Sequence, residues 1–438
     1  MSENLKRVLK LRDVSLLTVG AVIGSGIFIV PALVLRASNG SVPVATSVWL
    51  LAGVLSLLGA LSYAELAAMN PEAGGLYTYL RDAYGNFPAF LYGWTLFVLA
   101  GSGSVATLAV AFSNYLQELV AIGPLASRVV SIAMIIVLCA INVRGTRQSA
   151  DLQNWTTALK AGPLFLLSVY LLFVGSGLGG EAAPATTATH ASMISGLLTA
   201  MIGVLWAYEG WQYVTFVAGE VIEPQRTFPR GLIAGTAVLV LLYCLASVAY
   251  VAALGVERAM GSERIAADAV SATLGSAAAK LIAVAILISM FSAANSIVLT
   301  TPRVFFAMAR DGVFFRQLAH VHARFGTPAV AVCAMSVISA ILAASGTFEQ
   351  LLTYVVFTSW IFYALGALSV FVLRRKKPLA QRPFRVPGYP LTPILFVVSA
   401  AIIVINAIIT QPTRAAVGLG LVLLGAPVFF VWSRRRRA

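Results

Sequence analysis

The chain is poor in charge. Asp, Glu, Lys and Arg make up 11% of its 438 residues, against about 25% in soluble proteins. With 59% hydrophobic residues beside that figure, the soluble and secreted classes are excluded. Cysteine is scarce: Cys139, Cys244 and Cys333 each sit inside an apolar stretch, so no disulfide framework is expected. Histidine is equally scarce, with His190, His320 and His322 in polar connections and no paired-histidine metal motif. No glycine is followed by lysine, which removes the phosphate-binding loop. Without a nucleophile–base set or a metal set, the sequence points to no enzyme, no catalytic residue and no cofactor.

Acidic residues are the rarer sign of charge, 16 against 30 Lys and Arg, for a net charge of +14. Such an excess can signal nucleic acid, but only when it forms a face. Here it follows the apolar runs instead. The stretches Ala83 to Gln117, Ala182 to Tyr208 and Val386 to Thr413 carry no charge, and each exceeds the roughly 20 residues that span a bilayer as a helix. They are continuously apolar rather than alternating, which excludes a membrane barrel. Twelve spans are expected, near 15–35, 44–69, 86–118, 127–143, 152–175, 192–220, 230–254, 276–309, 328–344, 350–373, 391–410 and 414–433. With both termini cytoplasmic, most of the basic residues fall on the cytoplasmic side. They include Lys6, Arg7, Lys10, Arg12, the Arg374 to Lys377 cluster and the Arg434 to Arg437 tail. That asymmetry records membrane topology, so the expected partner is the lipid bilayer and not nucleic acid. The first apolar segment runs past the length of a signal-peptide core and holds Gly24-Ser25-Gly26 where a cleavage site would lie, so it is read as a span.

Inside this apolar frame three features stand out. Lys160 is alone in the stretch Leu152 to Gly175. A lysine at the middle of a membrane helix costs about 2.5–3.5 kcal/mol even on mild insertion scales, and such residues mark ion or substrate paths. Its depth, about 12 Å from the helix start, also suits a side chain that snorkels to the surface. The alternative is an internal cation tying spans one, five and eight together, as a fixed charge or a proton carrier.

The second feature is Gly24-Ser25-Gly26-Ile27-Phe28. Glycines flanking a serine let the backbone leave helical geometry, which is viable in a membrane only where it lines a cavity. The half-helix restarting near Ile27 offers N–H groups suited to a carboxylate. The half-helix ending near Val22 and Ile23 offers carbonyls suited to an ammonium group. Gly20 and Gly24 also form a small-xxx-small pattern that serves ordinary helix packing. The third feature is Trp206-Ala207-Tyr208-Glu209-Gly210-Trp211. Carbonyls of Trp206 and Glu209 are candidates to complete an ammonium cage, with the Trp206 indole as a gate. The competing reading places these aromatics in an interfacial belt, for which Glu209 lies too deep. Each break opens a block of five spans. Interrupted segments at matching places in two halves point to a transporter site on inverted repeats.

These residues carry a resemblance. Gly20 to Phe28, Ala64-Glu65-Leu66 with Pro71 to Tyr77, Trp206 to Glu220, Asn295, Arg303, Ala309 to Gly312, Val321-His322 and Thr327-Pro328 together resemble the amino acid–polyamine–organocation (APC) transporter superfamily. The likeness is greatest to bacterial members of its L-type amino-acid transporter (LAT) branch. It implies an all-α membrane protein of twelve transmembrane helices in the 5+5 inverted-repeat (LeuT-like) fold, with helices one and six broken. Residues 1–438 then form one transporter domain, with repeat one near 15–175, repeat two near 192–373 and two extra helices near 391–433. It further implies alternating access. The substrate carboxylate falls to Ser25, Gly26 and Ile27, the amine to Val22, Trp206 and Glu209, and the gate to Trp206. Lys160 would stand near the position where sodium binds in sodium-coupled relatives of the fold.

The function implied is sodium-independent exchange of neutral L-amino acids across the cytoplasmic (inner) membrane. Alternatives are a proton-coupled symporter using Lys160, an exchanger of cationic amino acids or amines selected by Glu209, and a non-transporting amino-acid receptor. Animal members of the branch bond to a partner glycoprotein through a cysteine after span three. The loop Glu118 to Ser127 has none, so no disulfide-linked partner is expected.

Overall fold

Backbone in hydrocarbon must satisfy its own polar groups, and this chain does so with helices. The computed structural model describes residues 5–117, 119–177, 190–345, 348–410 and 412–435. Among the described residues the β contact is a single parallel bridge between Leu9 and Val221. Among the described residues eight helices are long and apolar enough to cross a membrane: Val42–Met69, Asn86–Gln117, Pro124–Arg144, Thr146–Val174, Pro224–Leu254, Lys280–Arg310, Leu391–Thr410 and Pro412–Trp432. A ninth is the pair Leu11–Val22 and Gly26–Ala37, bent by 52°. His190–Ala207, Ala329–Ser345 and Phe348–Lys376 are further apolar helices in the stretches where the sequence places spans six, nine and ten. Prolines open the helices at Pro124 and Pro224, where the missing N–H costs nothing.

The helix Leu11–Val22 packs against Pro224–Leu254, Thr146–Val174 and Ser276–Thr300, while Gly26–Ala37 packs against His190–Ala207. The helix Val42–Met69 runs along Pro224–Leu254. Trp49, Tyr208 and Tyr243 fill the space between them, with ring centroids 5.0–6.0 Å apart. The halves of the two interrupted stretches pair crosswise: Leu11–Val22 packs against Trp211–Glu220, and Gly26–Ala37 against His190–Ala207.

The basic end of the bundle is cross-linked by charge. Glu65 is buried, takes Arg374 at 2.6 Å and accepts the Val386 N–H at 2.7 Å. Asp13 takes Arg147 at 2.7 Å and the Asn154 amide at 2.6 Å. Arg81 takes Asp311 at 2.8 Å, and the Tyr77 hydroxyl donates to the same carboxylate. At the other end, residues 255–275 form two short helices, Val256–Gly261 and Ile265–Leu274. Buried Ala259, Ile265, Ala269 and Val270 anchor them. The loop expected at 175–191 lies mostly outside the described residues.

Candidate functional site

The first break begins where Ile23 leaves helical geometry and ends where Gly26 restarts it. In the second, His190–Ala207 ends in the turn Tyr208–Gly210, and a 3-10 segment, Trp211–Glu220, continues the chain. Gly210 has φ +124°, a conformation that side-chain-bearing residues rarely adopt.

The two breaks interlock through their glycines. A Cβ on Gly26 would lie 2.7 Å from Ala207 Cβ and 2.9 Å from its Cα. A Cβ on Gly210 would lie 2.8 Å from the Ala21 carbonyl oxygen. Each turn is therefore glycine partly because the other presses against it. Departure from helical geometry is one reason for glycine at position 26; contact with the second interrupted stretch is a further one.

Lys160 is 3% exposed and does not snorkel. Its Nζ donates to the carbonyls of Gly20 at 2.7 Å and Ile23 at 2.6 Å. The Ser289 hydroxyl donates to Ile23 O at 2.8 Å and lies 3.1 Å from Gly24 O. The Tyr243 hydroxyl donates to Val22 O at 3.1 Å. The carbonyls that a broken helix leaves open are thus largely taken by this chain's own donors. Trp206 O likewise accepts the Glu209 N–H at 3.0 Å.

A cavity of about 70 Å³ lies where the breaks meet, lined from the first by Val22, Gly24, Ser25 and Gly26. Trp206, Glu209 and Tyr213 line it from the second, and Ser104, Thr107, Ala293 and Ile297 close the remaining sides. This exceeds the roughly 10–15 Å³ that a single water needs. Three buried polar atoms of its lining have no hydrogen-bond partner: Ser25 Oγ, Thr107 Oγ1 and Glu209 Oε2. The other carboxylate oxygen, Glu209 Oε1, accepts from the Tyr363 hydroxyl at 2.8 Å. Ser359 stands near the same carboxylate without hydrogen-bond geometry to Oε2. Buried polar groups are almost always paired, so three unpaired ones around one void mark a place shaped for a polar guest.

The structure brings together Val22, Ser25, Gly26, Trp206 and Glu209 around this void. Ile27 is fully buried beside it and does not line it, and Lys160 stands behind the first break. Thr107, Ser104, Tyr213 and Tyr363 escaped the sequence reading. One signal was present: Gly101-Ser102-Gly103-Ser104, small and polar within an apolar run. A π-helical turn at Leu96–Ala100 directly precedes it, a distortion common at functional sites.

These features define a class, an all-helical multi-pass membrane protein with an internal cavity at two interrupted helices. A family model described as amino acid permease matches residues 9–431. The chain belongs to that family, within the APC superfamily. It is 31% identical over 435 residues to the serine/threonine exchanger SteT of Bacillus subtilis, covering 99% of this chain and 98% of that protein. It is 30% identical over 442 residues to the human cystine/glutamate transporter, covering 99% of this chain and 87% of the other. The large neutral amino acids transporter small subunit 2 of Mus musculus is 29% identical over 434 residues, covering 98% of this chain and 81% of its own length. These relatives are membrane transporters of amino acids, not enzymes.

Proposed function

We propose that this protein exchanges small neutral L-amino acids across the cytoplasmic membrane by alternating access, without sodium. The observation that carries this is the cavity at the two breaks, with its unpaired Ser25, Thr107 and Glu209 atoms. The substrate carboxylate docks at Ser25 and the first N–H groups of the half-helix starting at Gly26, with Ile27 among them, where dipole and open donors favour an anion. Trp206 and Glu209 face the amine, and Trp206 closes over the guest. Volume favours a small side chain. The names of relatives that exchange or carry amino acids support the same reading.

The architecture we assign is twelve spans in a 5+5 inverted repeat, about 15–175 and 192–373, with two further helices about 391–433. Both termini are cytoplasmic. Lys160 is a fixed cation, a role supported by its two carbonyl partners and the reason no sodium is required. We assign no disulfide-linked partner subunit. The test is uptake of labelled amino acids into sodium-free proteoliposomes at matched pH, with and without unlabelled amino acid inside. Uptake that needs internal amino acid is expected. Uptake into empty vesicles that rises with an inward proton gradient would replace exchange by symport, and binding without flux would make the protein a receptor.

A further inference from the structure

The open acceptors of the cavity do not coincide with those expected of a broken helix. The carbonyls of Gly20, Val22 and Ile23 already receive Lys160, Tyr243 and Ser289, and Trp206 O receives the Glu209 N–H. Each of these carbonyls keeps a second lone pair, but among the lining residues one charged acceptor has no partner at all, Glu209 Oε2. No ion pair among the described residues includes Glu209, although other buried carboxylates, Asp13, Glu65 and Glu220, each hold an arginine. A buried carboxylate is tolerated when a cation or a full set of donors meets it. Tyr363 supplies one donor, to Oε1, and Oε2 is left without a partner.

We propose that the Glu209 side-chain carboxylate is the ammonium-binding group of this site. It pairs with a primary ammonium of the substrate, the part otherwise given to the carbonyls of Val22 and Trp206. The proposal rests on the amino-acid reading above and deepens it. The guest lies between Ser25 with the half-helix start on one side and Glu209 on the other, with its ammonium at Glu209. Two sources share this chemistry, the α-ammonium of a neutral amino acid and the terminal ammonium of a small amine.

The experiment is ligand binding to purified protein, by calorimetry and by thermal stabilisation, for wild type, Glu209→Gln and Glu209→Asp. The probes are serine, its 2-hydroxy acid analogue lacking the amine, and a short diamine. Serine should bind wild type and the hydroxy acid should not. Glu209→Gln should weaken serine by roughly 10- to 100-fold, the worth of a charge-assisted bond. Its ligand-free melting temperature should hold or rise, because an unpaired charge has been removed. Glu209→Asp, shorter but charged, should recover part of the affinity. Equal serine affinity in wild type and Glu209→Gln overturns the proposal, and so does Glu209→Asp binding no better than Glu209→Gln. If the diamine binds through Glu209 and serine binds no variant, the ammonium site stands and neutral exchange falls. If serine exchanges normally in Glu209→Gln vesicles, neutral exchange stands and the ammonium site falls.

Discussion

Replacing Lys160 by methionine keeps most of the side-chain volume and removes the charge. Two charge-assisted bonds, to Gly20 O and Ile23 O, are lost, at about 1.5–3 kcal/mol each. Removing a lysine from the apolar interior returns about 2.5–3.5 kcal/mol. Ser289 still serves Ile23 O, so the acceptor most exposed to the loss is Gly20 O. Gain offsets only part of the loss, leaving a net destabilisation between about zero and 3.5 kcal/mol. The fold should survive with a modest fall in melting temperature. Exchange should not survive, because these bonds fix the carbonyl end of the first break and with it the position of Ser25 and Gly26. The assay pairs thermal unfolding in detergent with counterflow in proteoliposomes. A Lys160→Met protein exchanging at the wild-type rate would show that the break holds its shape unaided, and would refute the reasoning.

Three further outcomes are expected. Gly26→Val should abolish substrate binding and lower the melting temperature together, since its Cβ must enter the space of Ala207; normal affinity would remove the carboxylate assignment. Glu220→Gln should cost about 3–5 kcal/mol, the price of breaking a buried pair, because Arg303 and Glu220 are fully buried at 2.6 Å; a denaturation midpoint equal to wild type would contradict it. Asp311→Asn removes one of the three carboxylate partners of Arg81 and the charged acceptor of Tyr77 at a partly exposed site, where a pair is worth about 1 kcal/mol or less. It should leave stability almost unchanged and raise cytoplasm-side labelling of a cysteine introduced at the cavity, and unchanged labelling would deny that end a gating role.

The two breaks and the buried lysine were legible in the sequence because each violates what a bilayer tolerates. Glycines around a serine in mid-span and a lone cation among leucines have no inexpensive explanation. Glu209 was legible for the same reason, though not the orientation of its oxygens. Ser289 and Tyr243 were not legible. Most serines and threonines in these helices turn back on their own chain, as Thr18 does to Val14 O and Ser56 to Ala52 O, and Ser289 reads identically until its neighbour is known. The same limit hid Thr107, whose hydroxyl is informative only because nothing answers it.

The N-terminal residues have a further consequence. The amides of Val8 and Leu9 donate to Glu220 O at 2.8 and 2.9 Å, and Leu9 O accepts from Ile222 at 2.8 Å. The leading segment is thereby stitched to the far end of the second interrupted stretch, not to the span it precedes. Any rocking of that stretch is carried outward to the first residues of the chain. A fluorophore placed just ahead of Val8 becomes an external pointer for an internal hinge, readable without touching the cavity.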